Sequence, residues 1–245
     1  MQDFLISFDL DWAPDFVLEK TLSILNNYNL PTTFFITHHS DALKKFKVTH
    51  DYIEIGLHPD LTLHSQQGSN LFDVKKFFML SNTEPLIIRS HGNVVSTNLY
   101  SELFSLFGPY IDSSIFLPRN LTVSPSQFWH SNSLVKLIPY IWEDSHELHS
   151  EFPIFFMNND FWQNILGISV LNFHPIHIYI DQIDPAIYRS CKNIFGPISK
   201  WKKNDIDNYL GYHGESKQGP VSTFLREALD FKSKNFPFST FRQFN

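Results

Sequence analysis

The feature that most restricts this chain is a repeated ending. Short apolar runs stop, one after another, on an acid, a histidine or an arginine. Phe4-Leu5-Ile6-Ser7-Phe8 leads to Asp9 and Asp11, and Tyr52-Ile53-Glu54-Ile55-Gly56-Leu57 leads to His58. Leu86-Ile87-Ile88 leads to Arg89 and His91, Tyr110-Ile111 to Asp112, and Ile168 through Phe173 to His174 and His177. Runs of this kind suit strands buried on both faces of a parallel sheet. Helical spacing fills the intervals: Pro14 and Asp15 open a helix to Asn27, with others over Ser40 to Phe46, Leu71 to Leu80 and Ser96 to Phe107. A further strand is expected over Thr32 to Thr37. Repeated strand–helix units of about 20–35 residues predict a parallel sheet with covering helices.

The 245 residues show no linker, repeat or low-complexity tract, so one domain over 1–245 is expected. The fold class is α/β, and a distorted (β/α) barrel of about seven strands fits this length. The middle is less regular. Phe116 to His130 carries few periodic signals, Leu134 to Pro139 suits a strand, and 181–219 read mostly as loop and short helix. Val221 to Lys234 is an amphipathic helix, with a short strand expected near Phe238 to Phe241.

Composition limits the chemistry. With 42% hydrophobic and 18% charged residues the chain can bury a core. One Cys against 12 His excludes a disulfide framework and a multi-thiolate zinc site, so any metal must be held by His and carboxylates. A net charge of −6 with no basic run argues against nucleic acid. No apolar run approaches the ~18 residues of a membrane span. Met1-Gln2-Asp3-Phe4 lacks the basic start of a signal peptide, so a cytoplasmic location is expected.

In parallel α/β folds the carboxyl ends of the strands build the ligand-binding face. The polar endings are therefore expected to converge. Asp9 and Asp11, at i and i+2, would share one strand face and need a cation or proton between them. A capping turn would also account for Asp11. His58-Pro59 and His174-Pro175 hold their imidazoles on extended backbone, because the residue before proline avoids the helical region. A satisfied, half-buried loop histidine is the other reading of either pair. Arg89-Ser90-His91-Gly92 offers a planar fork for a carboxylate, or a surface turn with a salt bridge. Trp142-Glu143-Asp144 with His146 would be pocket wall or solvated loop. His38, His39, His50, His130 and His149 read as surface residues, and Cys191 as inert.

These residues resemble a known family. Ser7-Phe8-Asp9-Leu10-Asp11-Trp12 resembles the first motif of polysaccharide deacetylases, the NodB-homology or carbohydrate esterase family 4 group. Glu54-Ile55-Gly56-Leu57-His58 resembles the second motif, Arg89 the arginine of the third, Asp112-Ser113 the start of the fourth, and Asn172-Phe173-His174-Pro175 the fifth. The Phe-Asp-x-Asp-Trp, Arg-Ser-His-Gly and His-Pro-Ile-His patterns are similar to a divergent subgroup encoded with surface-polysaccharide or O-antigen biosynthesis. There are departures. Leu10 separates the two acids, Thr62 stands where the family has a second metal-binding His, and His91-Gly92 replaces Pro-Tyr.

The resemblance implies a NodB-like barrel and a metal-dependent hydrolase that removes an N-acetyl group from a sugar, nucleotide sugar or lipid-linked saccharide. One divalent ion, with zinc the expected metal, is implied at Asp11 and His58. His91 is the expected third ligand, with His64 and Asp60 as substitutes. Asp9 is implied as general base, Arg89 as its partner, and His174 as the group that protonates the leaving amine. Two other functions fit part of the pattern: a carbohydrate-binding or assembly protein that kept the fold and lost the chemistry, and a haloacid-dehalogenase-type phosphatase using Asp9-Leu10-Asp11. The phosphatase reading leaves the histidines idle.

Overall fold

The computed structural model describes residues 3–62, 65–68, 70–78, 87–130, 132–213 and 219–244. In chain order the strands are β1 (Asp3–Asp9), β2 (Thr33–Ile36), β3 (Glu54–Leu57), β4 (Ile87–Ile88), β5 (Ile111–Asp112), β6 (Thr122–Val123), β7 (Ser126–His130), β8 (Ser133–Leu137), β9 (Trp142–Glu143) and β10 (Leu166–Phe173). The helices are α1 (Asp15–Leu25), α2 (Asp41–Thr49), α3 (Leu71–Phe78), α4 (Thr97–Phe107), α5 (Asp144–Leu148), α6 (Asp160–Gln163), α7 (Pro175–Ile180), α8 (Pro185–Phe195), α9 (Lys203–His213) and α10 (Pro220–Asn235). The expected curled α/β sheet is observed: β10, β1, β2, β3, β4, β5 and β8 are consecutive parallel neighbours, and one segment links the two ends of this run. That segment runs from β8, paired with β5, to β9, paired with β10. Its amides follow the same path: Ile138 N donates to the Asp112 carbonyl at 2.8 Å and Ile141 N to the Val170 carbonyl at 3.0 Å. One bent strand therefore joins both edges of the sheet.

Strand periodicity of two separates two apolar layers. Phe4, Ile6 and Phe8 of β1 point outward into a core shared with Phe34, Ile88, Phe173 and Leu225. Leu5 points inward, where it packs with Phe35, Ile87, Ile111, Val170 and Phe241. Moving up the inside of the ring, this apolar floor gives way to Ser7, Asn172 and Arg89, all buried, and then to Asp9 and His58. The barrel interior is thus stratified along its axis, and the apolar floor lies beneath the polar end.

Several expectations are corrected. Residues 185–195 and 203–213 form two eleven-residue helices where mostly loop and short helix were expected. The Asp184 carboxylate accepts from Ala186 N, Pro185 occupies the first turn, and Gly196 ends α8 at φ 74°. Those are ordinary boundary signals bracketing Ile187, Tyr188, Cys191 and Phe195 on one face. The expected strand near Phe238 to Phe241 is a 3₁₀ turn, Phe241–Phe244. The buried Glu54 carboxylate accepts from Phe241 N and Arg242 N, both at 3.1 Å, and takes the bonds that a neighbouring strand would have supplied. Residues 126–130 pair antiparallel with β8 instead of remaining irregular.

Candidate active site

β1 continues its ladder one residue past Asp9, through Leu10 N to the Phe35 carbonyl at 3.1 Å. The chain then turns sharply: Asp11 and Trp12 sit in the left-handed region at φ 45° and 58°. Asp11 therefore reaches the site from a turn, not from the strand face shared with Asp9. Trp12 N donates to Thr37 Oγ1 at 2.9 Å, which fixes this turn against the end of β2. The two acids share one neighbour, His58, whose Nε2 is 3.2 Å from Asp11 Oδ1 and 3.8 Å from Asp9 Oδ2, and otherwise have different partners.

Asp9 belongs to the buried polar layer. Arg89 Nη1 donates to its Oδ1 at 3.0 Å, and Asn172 Nδ2 donates to its Oδ2 at 2.8 Å. The same guanidinium donates to Ser7 Oγ, the Ser113 carbonyl and Ser113 Oγ, each at 3.0 Å. Its plane lies between the Phe35 and Tyr140 rings, 4.1 and 4.4 Å from their centroids. Cation–π contact of a desolvated guanidinium is worth about 2 kcal/mol, which helps offset the loss of water around a fully buried cation. Gly56 makes the stack possible, because a Cβ there would stand 2.7 Å from the Phe35 ring.

Asp11 is the centre of a second set. Its Oδ1 lies 3.2 Å from His58 Nε2 and 3.0 Å from His91 Nδ1, and those nitrogens are 3.3 Å apart. His58 Nδ1 donates to the Arg89 carbonyl at 2.6 Å, which orients the ring so that Nε2 faces Asp11. His91 is brought there because its backbone N–H donates to the Pro59 carbonyl at 2.9 Å, joining the loops after β3 and β4. Burial pushes the Asp11 carboxyl up, but hydrogen bonds from His58 and His91 outweigh it and hold Asp11 well below the usual carboxylate range. Burial likewise opposes protonation of His91, while its bond to Asp11 raises it. Asp60 is not part of this set: its Oδ1 accepts from Thr62 N at 3.0 Å and Thr62 Oγ1 at 2.7 Å. His64 lies outside the described residues.

His174 closes the opposite side. Its Nε2 is 3.6 Å from Asp11 Oδ2, and its Nδ1 is 2.6 Å from Asp144 Oδ1. Asp144 Oδ2 also accepts from His174 N at 2.7 Å. Burial disfavours the imidazolium, but the Asp144 charge and hydrogen bond prevail and raise His174 well above an ordinary histidine. The sequence left Asp144 open as pocket wall or solvated loop. It is fully buried, at the start of α5, and it is the partner of His174. Its position follows from β9 pairing beside β10, a contact with no local signal beyond the acid after Trp142-Glu143. His177 was grouped with the strand end but lies on α7, and burial lowers it to about 4. Asp112 stays outside the cluster: Ser114 holds both its oxygens, and burial raises it to about 6. Two of the histidines expected on the surface, His38 and His50, are half-buried.

A curled parallel α/β sheet with acids, imidazoles and a buried arginine at its carboxyl end defines the class as a deacetylase-type barrel. The chain belongs to the WbmS-like polysaccharide deacetylase family, whose model matches residues 6–192. Its fold is similar to a crystal structure from Bordetella bronchiseptica of a protein assigned as a polysaccharide deacetylase involved in O-antigen biosynthesis. That match has a TM-score of 0.75 and 23% identity, covering 93% of this chain and 90% of the other. A more distant likeness is 4-alpha-glucanotransferase from Thermococcus litoralis, with a TM-score of 0.52 and 10% identity, covering 100% of this chain and 38% of that one. No curated protein sequence matches the chain significantly. Among the described residues no helix is long and apolar enough to cross a membrane.

Proposed function

We propose that the chain is a metal-dependent deacetylase that hydrolyses the N-acyl group of a sugar, with one catalytic domain over 1–245. The observation that carries this reading is the triangle of Asp11 Oδ1, His58 Nε2 and His91 Nδ1, whose sides are 3.0, 3.2 and 3.3 Å. Ligand atoms about 2.0–2.1 Å from a tetrahedral ion stand roughly 3.3 Å from one another, so this donor set fits zinc with an open position. When bound, the ion supplies Lewis-acid polarisation of the acyl carbonyl and activation of water at neutral pH.

The chain's own groups do the proton work. Asp9 stands beside the triangle, with Oδ2 3.8 Å from His58 Nε2, and is oriented by Arg89 and Asn172. It accepts the proton of the attacking water. His174, with Nδ1 bonded to Asp144, presents Nε2 toward Asp11 at 3.6 Å and gives its proton to the departing amine. Water adds to the acyl carbon, the C–N bond breaks, and the products are a carboxylate and an amino sugar. The haloacid-dehalogenase reading leaves His58, His91 and His174 without tasks.

The test is metal content together with acetate release from N-acetylated sugars. His58→Ala and His91→Ala should lose the bound ion. Asp9→Asn should keep it and lose roughly 10²-fold or more in kcat, the scale of general-base catalysis. Near-wild-type turnover in these variants, or a metal-loaded protein that releases no acetate from any N-acetylated sugar tested, would reject the assignment.

A further inference from the structure

The groups described so far engage an acyl group, not the rest of a sugar. Beside Asp11 and Trp12 opens a cleft of about 500 Å³, whose far wall is the end of α8 and the loop after it. Gln66, Lys192, Asn193 and Ser199 line it, and none of them has a part in the hydrolysis. The wall is firmly built. Gly196 N donates to the Lys192 carbonyl at 3.0 Å, and the Gly196 carbonyl accepts from Nε1 of the buried Trp201 at 2.9 Å.

The lining chemistry is that of a saccharide site. An indole can cover the apolar face of a pyranose, while two carboxamides and a hydroxyl can meet its polar groups. Lys192 adds a requirement. Its ammonium lies 5.5 Å from the Tyr188 ring centroid, and among the described residues it makes no ion pair. The other charged group of the lining, Asp11, is already engaged by His58 and His91. In a chain of net charge −6, the lining beside the reacting centre therefore carries a cation that, among the described residues, has a ring contact but no ion pair. The family model ends at residue 192, so the wall from Asn193 to Ser199 lies beyond the part that the family match covers.

We propose that this cleft holds the sugar ring bearing the acyl group and that Lys192 selects a substrate with an acidic substituent, a carboxylate or a phosphate. The proposal rests on the deacetylase reading for what the neighbouring groups do. An exposed charge pair contributes little, so the expected preference is about two- to fivefold.

Metal-loaded full-length protein should be titrated with N-acetylglucosamine, N-acetylglucosaminuronic acid and N-acetylglucosamine 1-phosphate. Saturation-transfer NMR reads binding, and free acetate is read in the same spectra. At least one acidic sugar should bind more tightly than the neutral one, and the two acidic probes show whether carboxylate or phosphate is preferred. The advantage should vanish in Lys192→Gln and survive in Arg189→Gln, an exposed cation on α8 that does not line the cleft. It should also shrink as salt rises. No advantage for either acidic sugar, or one that persists in Lys192→Gln, overturns the proposal. A Lys192-dependent preference without acetate release would leave it standing and remove the deacetylase reading. Acetate release without the preference would do the reverse.

Discussion

Replacing Asp144 with Asn tests the arrangement at its most coupled pair. Asp144 bonds His174 twice, through Oδ1 to Nδ1 at 2.6 Å and Oδ2 to the backbone N at 2.7 Å. A carboxylate can accept both protons. An amide cannot, because it turns an N–H₂ toward one of the two donors. Asn therefore removes the charge and breaks one of the bonds. In the wild type, burial opposes protonation of His174 and the Asp144 contact reverses it, holding the imidazole well above its ordinary value. Without that charge burial is opposed only by the weaker fields of Asp11 and Glu143, so the group should titrate well below its wild-type value, toward that of an ordinary histidine. At pH 8 a histidine of pKa about 6.5 is roughly 3% protonated, which predicts a loss of about thirtyfold in any step that needs the imidazolium. The sign follows from the direction of the shift: the deficit is greatest at alkaline pH and closes as pH falls and the imidazole is protonated without help from Asp144. Histidine-selective ¹³C NMR gives the His174 titration directly, and the pH profile of acetate release gives its catalytic consequence. A variant whose His174 titrates as in the wild type would refute the reasoning, as would a rate deficit that is constant with pH.

Three further outcomes are expected. Arg89→Met should destabilise the fold by about 3–5 kcal/mol, because Asp9 is left buried without its cation, and adding Asp9→Asn should recover part of that loss in urea denaturation. If the double variant is no more stable than the single one, the loss is not electrostatic. Lys232 is fully buried, donates to the Phe4 and Ser239 carbonyls at 2.8 and 2.7 Å, and is lowered by burial to about 7. Between that value and about 10.4 the unfolded chain binds more protons than the folded one, so this group makes stability rise with pH across the window. Lys232→Met should lack that rise, at most about 2.7 kcal/mol between pH 7 and 9, and equal pH slopes in the two proteins would contradict it. Gly56→Ala should displace the Phe35 ring from Arg89 and lower the urea midpoint, since its Cβ would meet that ring at 2.7 Å. A variant as stable as the wild type would show that the stack adapts without cost.

Much of the site was legible before the structure because strand geometry is local. Side chains two residues apart share a face, so Ser7 with Asp9 and Asn172 with His174 were bound to line one interior once their runs were strands. Gly56 and His58 follow the same rule on β3. Asp11 departs from it: Leu10 shifts this acid past the strand end, and the left-handed turn at Asp11 and Trp12 carries it to His58 and His91. The family resemblance implied that pairing, but not the backbone that achieves it. Residues 185–213, read as mostly loop and short helix, form longer helices, because their apolar positions (Ile187, Tyr188, Cys191 and Phe195, then Ile206, Tyr209 and Leu210) are sparse.

The sequence by itself marked β1 to β5, β8, β10, α1 to α4 and α10, and which polar groups stand at the strand ends. These follow from periodicities of two and 3.6, which a short window already contains. Only the tertiary structure decided that His91 rather than Asp60 faces Asp11, that Asp144 supports His174 from thirty residues away, and that Lys192 stands beside the cleft with no ion pair among the described residues. Each depends on which segments pack side by side: the loop after β4 on Pro59, β9 on β10, and Trp201 on the loop after α8. Such neighbours are chosen by the closure of the whole ring, through the bend between β8 and β9, and no local pattern of residues records that choice.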